Sequence, residues 1–284
     1  MSTTVFKKVK DRAALAMSKH ILRKRVSESV FYAHGIENLG DSMVPWLIQN
    51  AAHADLPYSN PLAASGPHLL TIGSILQYAT SDCYIWGSGF IQSDSKPKGR
   101  PKQVAAVRGP LSQERCQALG IEAPLVFGDP ALLTSRFIVK KHAPIAGRIG
   151  LVPHFVDWDT LNNPELGLQQ SYHFIDIRTS DIENFADEIT KCEYVVSTSL
   201  HGVILSEAFG VPAVWCEVSD NVVGKGFKFH DYFSGTGRQA HAAEFRDLAN
   251  SNVAKFICRP ISNLTEIQDS LLSVFPTRFK EKTT

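Results

Sequence analysis

No stretch of this chain stays apolar for the roughly 18 residues that a membrane span needs, and its N-terminal region reads as lacking the apolar core of a signal peptide. Paired cysteines are missing too. The five thiols, at 83, 116, 192, 216 and 258, are scattered with no C-x-x-C spacing. That excludes a zinc ribbon or a disulfide scaffold and points to reduced thiols in a soluble, cytoplasmic protein. Neither sign of charge dominates, with 29 Lys and Arg against 28 Asp and Glu, so bulk nucleic-acid binding is not expected. Internal repeats and low-complexity tracts are absent, and no His, Asp or Glu cluster has metal-ligand spacing, so no metal is expected. What is present is 284 residues, enough for two medium domains, each with its own core.

The stretch from Glu193 to Trp215 organises the rest. Tyr194–Ser197 is short, apolar and β-branched, as a buried strand requires. Ser197, Thr198, Ser199 and Gly202 supply turn and N-cap chemistry. The spacing predicts a short helix over 203–209, stopped by Gly210 and Pro212, and then a strand over 211–215. His201 is thereby expected at the carboxyl end of a strand, beside a helix N-terminus. In open α/β sheets ligands sit at that edge, and free N–H groups there favour anions.

The remainder repeats this rhythm. Residues 1–28 carry eight Lys and Arg against Asp11 and Glu28, with Ala13, Ala14, Leu15, Met17, Ile21 and Leu22 available for one helical face. Such a segment suits either a solvated leader helix or an anionic membrane surface. A first α/β domain is expected over 29–143 and a second over 144–284, divided at the mixed Lys, His, Pro and Gly stretch 140–147. Strands are expected at 29–33, 68–72, 83–86, 104–107, 125–127, 149–152 and 172–177. Asn38 and Asp41 fall at a strand-to-helix junction, Asp41 being a candidate N-cap. Ser88 and Gly89 lie in a glycine turn where backbone N–H groups can meet a phosphate. Arg108 follows a buried strand and therefore needs an anionic partner, either a protein carboxylate or a substrate. Ser180 and Glu183 read as a capping box. The loops 34–41, 87–90, 108, 153–154 and 197–202 would line a cleft between the domains.

The ordered series Asn38-Leu-Gly-Asp41, Gly87-Ser-Gly89, Val107-Arg-Gly-Pro-Leu111, Gly128-Asp-Pro-Ala-Leu132, Val152-Pro-His154, Ser199-Leu-His-Gly202 and Gly210-Val-Pro212 resembles the polysaccharide pyruvyl transferase family, in particular its bacterial exopolysaccharide members. The resemblance implies two Rossmann-like domains facing a cleft, similar to GT-B glycosyltransferases. It also implies transfer of pyruvate from phosphoenolpyruvate onto a hexose as a cyclic ketal, without a cofactor. The acceptor would be an oligosaccharide or a lipid-linked glycan. On this reading His201 serves as acid or base. Arg108, Ser88, Gly89, Ser199, Gly202, Lys225 and Arg238 are the candidates for holding the donor. Asn38, Asp41 and His154 line the acceptor side or the cleft. One position departs from the family. Many members have Arg-Leu-His-Gly where this chain has Ser199-Leu-His-Gly, so Arg108, Lys225 or Arg238 must supply the missing cation. A nucleotide-sugar glycosyltransferase and a non-catalytic sugar-binding homologue are the rival readings.

Overall fold

A computed structural model describes residues 24–35, 38–139, 142–219 and 222–281. The basic segment 1–28 is therefore largely outside the described residues. Its last part forms β1 (Lys24–Arg25), paired in parallel with β3 (Ala64–Ser65).

Two parallel sheets follow in chain order. The first contains β2 (Ser29–Phe31), β4 (His68–Leu70), β5 (Cys83–Trp86) and β6 (Gln103–Ala106), adjacent in that order. Each new strand is added on the same side, so this sheet has no reversal of direction. The second contains β7 (Ile149–Val152), β8 (His173–Phe174), β9 (Tyr194–Ser197), β10 (Ala213–Glu217) and β11 (Ala243–Glu244). Its spatial order is β11-β10-β9-β7-β8, so the chain reverses between β8 and β9 and leaves a switch point between β7 and β9. The α/β class is thus as the sequence implied. Parallel strands covered on both faces read as apolar runs rather than alternating ones, and Val195, Val196, Leu151 and Val152 are fully buried.

The helices are α1 (Leu39–Ser42), α2 (Val44–Ala52), α3 (Pro110–Ala118), α4 (Thr134–Phe137), α5 (Trp158–Leu161), α6 (Ile182–Thr190), α7 (Leu200–Ala208), α8 (Phe227–Gly235), α9 (Phe245–Ala249) and α10 (Leu264–Ser273). All nine residues of α7 are buried, so it is a central helix and not an amphipathic surface one. Gly210 takes the left-handed conformation (φ 71°) that ends it, as the Gly-Val-Pro pattern implied.

Several local expectations are corrected. Helix α7 begins at Leu200, three residues early, so His201 lies in its first turn and not in a preceding loop. The next strand starts at Ala213, because Val211 and Pro212 complete the helix stop. Helix α6 is capped by Asp181, whose Oδ1 accepts the Asn184 N–H at 3.0 Å, and not by a Ser180–Glu183 box. Asp41 is inside α1, whose N-cap position is Asn38. Residues 125–127 contribute only an isolated bridge, Val107 to Phe127.

One apolar core runs from Val30 and Leu47 through Trp86 and Leu132 to Ile204, Phe233 and Leu271. The last helix crosses back to the first half. The Trp86 indole N–H donates to the Leu271 carbonyl (2.8 Å), Gln268 Nε2 donates to the Leu132 carbonyl (2.7 Å), and Arg136 pairs with Asp269. Leu271→Ala would cost about 2–5 kcal/mol, the usual range for a buried leucine.

Candidate active site

The carboxyl ends of both sheets meet. The Leu39 N–H donates to the Ile177 carbonyl (2.8 Å), and Ser42 Oγ donates to the Thr179 carbonyl (3.0 Å). Gly40 lies against the His201 imidazole so closely that a Cβ placed on it would sit 1.8 Å from Nδ1. At the switch point of the second sheet, Thr198 Oγ1 accepts the His154 N–H at 2.7 Å, tying the end of β7 to the end of β9. This is the edge where open α/β sheets bind ligands. Two open concavities, of about 720 and 770 Å³, lie instead at the opposite, amino-terminal edge of the first sheet, around Arg25, Asp82, Lys102 and Gln117.

His201 is 7% exposed, and its Nε2 has no hydrogen-bond partner. Burial, with Lys228 and Arg108 nearby, lowers its pKa to about 3. His154 is lowered as well, by burial first and then by Lys228 and His201. Both imidazoles are therefore neutral near pH 7, able to donate or accept a hydrogen bond but not to serve as a stored proton. The expectation of a histidine poised near neutrality is corrected on this point.

The carboxyls beside them move the other way. Asp41 is 9% exposed, and burial raises its pKa to about 7. The Asn38 amide, which donates to Asp41 Oδ2 at 3.0 Å, the Ala33 backbone and Lys228 offset only part of that shift. Asp129 is fully buried and raised to about 6, again by burial first. Its Oδ1 accepts the Ala131 N–H, while its Oδ2 has no partner.

The three candidate cations, and Lys228 beside them, separate by what already holds them. Arg108 is fully buried and takes the protein-carboxylate alternative: Nε donates to Asp231 Oδ2 (3.0 Å), Nη2 to the same oxygen (2.9 Å) and to the Phe90 carbonyl (2.6 Å), and Nη1 to Ser74 Oγ (2.6 Å). Its guanidinium is thus already held by protein groups, and it stands close enough to lower His201 and Lys228. Arg238 is held as well. It forms a bidentate pair with Glu207 (2.6 and 2.7 Å), which also accepts from the Tyr232 hydroxyl. That pair anchors the far end of α7. Lys225 is exposed, on a turn with φ 44°. Lys228 is half-buried and forms no ion pair among the described residues, and burial and Arg108 lower its pKa to about 8. Among the described residues neither Lys225 nor Lys228 is committed to a carboxylate, and of the two Lys228 is the half-buried one.

The Ser88 hydroxyl and the Gly89 N–H both donate to the Gly73 carbonyl (2.9 and 3.1 Å), so both are engaged in bracing the neighbouring loop. Gly89 leaves room for the Arg108 guanidinium. Ser199 is the extended residue before α7, and its N–H donates to Ser197 Oγ at 3.0 Å. Gly202 lets the first turn of α7 approach β9, since a Cβ there would lie 2.3 Å from Ser197 Oγ.

Sequence reasoning missed Lys228 and Asp129. Lys228 stands three residues before Asp231, and residues three apart share a helical face, so a helix drawn over 227–235 would have placed it beside the Arg108 partner. Asp129 reads locally as an ordinary turn residue before a proline; its place in the Gly128-Asp-Pro-Ala-Leu132 segment was the available signal, and burial now sets it apart.

Comparison with known proteins adds a separate finding. The profile of the family described as polysaccharide pyruvyl transferase matches residues 38–220. An uncharacterized protein of Acanthamoeba polyphaga mimivirus is 29% identical over 177 residues, 60% of this chain and 61% of that protein. The succinoglycan biosynthesis protein ExoV of Rhizobium meliloti is 26% identical over 175 residues, 60% of this chain and 54% of that protein. The matches thus span a little over half the length of each relative.

Proposed function

The chain belongs to the polysaccharide pyruvyl transferase family, and from that premise we propose that it moves pyruvate from phosphoenolpyruvate onto a hexose of an exopolysaccharide or its lipid-linked precursor, as a cyclic ketal. The observation that carries this reading is Lys228, a half-buried cation without an ion pair among the described residues, held near the neutral imidazole of His201. A dianionic phosphate and a carboxylate need such a group, and the low local dielectric strengthens its pull. The donor's anion lies at Lys228 and the first turn of α7, where the N–H groups of a helix start add to the attraction. His201 Nε2 hydrogen-bonds the donor, and Arg108 adds positive field through the wall it forms with Asp231. The acceptor enters from the side of His154 and Asn38. No cofactor takes part in this scheme. The two facing sheets fit a GT-B-like pair of Rossmann-like domains, although the one-directional order of the first sheet is simpler than a doubly wound one.

Incubating the protein with phosphoenolpyruvate and candidate oligosaccharides, followed by mass spectrometry, tests the reading. Growth in mass by one pyruvate ketal with release of phosphate is the expected result. A melting temperature raised by a nucleoside diphosphate and not by phosphoenolpyruvate would favour a nucleotide-sugar glycosyltransferase instead. Binding without phosphate release would favour a sugar-binding homologue. Among the described residues no helix is long and apolar enough to cross a membrane. The basic composition of residues 1–28 supports a peripheral contact with an anionic bilayer, where each cation contributes about 1 kcal/mol. Salt-reversible sedimentation with anionic liposomes, lost when 1–28 is deleted, tests it.

A further inference from the structure

We propose that Asp41, not His201, carries the proton of the first bond-forming step: its carboxyl protonates the methylene carbon of phosphoenolpyruvate, and the resulting carboxylate takes the proton of the acceptor hydroxyl that adds to the neighbouring carbon. This rests on the pyruvyl-transfer reading of the site. Atoms balance without another reactant. The C=C electron pair takes the proton and becomes the methyl C–H bond. The hydroxyl oxygen bonds the adjacent carbon and releases its proton to Asp41, which ends as it began. A second hydroxyl then forms the other C–O bond, the bond to the phosphate oxygen breaks, and phosphate leaves with the second proton. One shuttling acid therefore suffices for the first step, provided that it starts protonated.

The geometry places Asp41 for this work. The residue follows Gly40, which lies directly against the His201 ring, so the segment that carries the carboxyl packs on the imidazole. Asn38 Nδ2 donates to Oδ2, the Ala33 backbone also hydrogen-bonds the carboxylate, and Oδ1 lies on the side of Gly73. Gly73 has no side chain there, and even an added Cβ would stand 3.6 Å from Oδ1. Two buried polar atoms of the same wall lack partners, Asn38 Oδ1 and His201 Nε2. A substrate with oxygen-bearing groups would satisfy both. The groups acting on Asp41 are Asn38 from its own loop, the Ala33 backbone, Lys228 from α8 and Asp129 from the turn before Pro130, while His201 from α7 packs on the adjoining Gly40. Burial outweighs the cation and the amide, so the carboxyl is near half-protonated at neutral pH. Asp129 shares the trend but is fully buried, with Oδ1 committed to the Ala131 N–H, and so is less able to reach a reactant. His201, held neutral, has no proton to give as an imidazolium.

The test uses the full chain, phosphoenolpyruvate and an acceptor that the wild-type protein pyruvylates. Asp41→Asn is expected to keep the melting shift caused by phosphoenolpyruvate and to lose turnover by about 10²–10⁴-fold, the usual cost of removing a general acid or base. The fall of wild-type turnover through neutral pH should disappear from what activity remains. Asp41→Glu, which retains a carboxyl at altered reach, should fold, lose at least about tenfold in turnover and keep a pH-dependent limb at a shifted position. Turnover of either variant within about twofold of wild type overturns the proposal. So does an Asp41→Asn protein that turns over slowly only because it no longer binds phosphoenolpyruvate. A wild-type protein that consumes no phosphoenolpyruvate with any acceptor overturns the pyruvyl-transfer reading itself, and this inference with it.

Discussion

The two sheets bring different chemistry to the same seam. The loops of the first deliver carboxyls, Asp41 and Asp129, whose pKa values are pushed up to about 7 and about 6. Those of the second deliver imidazoles, His154 and His201, pushed down. Acids and bases shift in opposite directions for one reason, because burial disfavours whichever form is charged. The seam consequently holds less charge than its residue types suggest. The contrast teaches that burial, more than residue type, sets the charge of the seam, with Lys228 the half-buried cation beside it.

Breaking the seam itself should have the largest effect. Asp231→Ala leaves the Arg108 guanidinium buried without its carboxylate and also strips the Ser112 N–H and hydroxyl of their acceptor. A loss of about 3–5 kcal/mol in urea unfolding is expected. Next, His201→Ala should leave unfolding nearly unchanged and lower turnover by about 10²–10³-fold, the range for losing one hydrogen bond to developing charge. Near-normal turnover in a folded variant would remove His201 from the chemistry.

The comparison sharpens further at the cations. Lys228→Met should raise the apparent Kd for phosphoenolpyruvate about 10–100-fold, since a charge-assisted hydrogen bond contributes about 1.5–3 kcal/mol. Titration calorimetry reads this directly.

A smaller effect tests the opposed shifts. His201 titrates near 6.5 when unfolded and at about 3 when folded, so its contribution is present above 6.5 and is lost as pH falls toward 3. Asp41 titrates near 3.9 unfolded and at about 7 folded, so its contribution is present in acid and is lost as pH rises through 7. Between about pH 4 and 6.5 the two partly cancel. Asp41→Asn should therefore make stability rise with pH over that window, and His201→Asn should make it fall. Equal slopes in the two variants would contradict the contrast. The smallest effect belongs to Lys225→Ala, expected to change the apparent Kd less than about twofold because the side chain is exposed.

Much of this was legible from the chain. Strands at 83–86, 149–152 and 194–197 stand out because buried parallel strands are short unbroken apolar runs bounded by turn residues. Gly210 and Pro212 mark a helix end by backbone conformation alone, which is a local property. The state of the site was not legible in this way. Arg108 meets a carboxylate 123 residues away, and nothing local distinguishes Asp231 from other helical acids. Finding Lys228 needed the helix start at Phe227, and boundaries are the weakest part of a periodicity argument. The histidine was found by its strand-end position. Its neutrality came from burial first and then from Lys228 and Arg108, which fold against it from elsewhere.

The return of α10 to the first half has a consequence for how the chain tolerates being cut. Val139 is 81% exposed, so a protease has access to the connection between the halves. A nick there would not release a free C-terminal piece. The larger fragment would still be clasped through Leu271 on Trp86, Gln268 on Leu132 and Asp231 on Arg108. Two separately expressed fragments should accordingly find each other and rebuild one folded particle, each serving as template for the other.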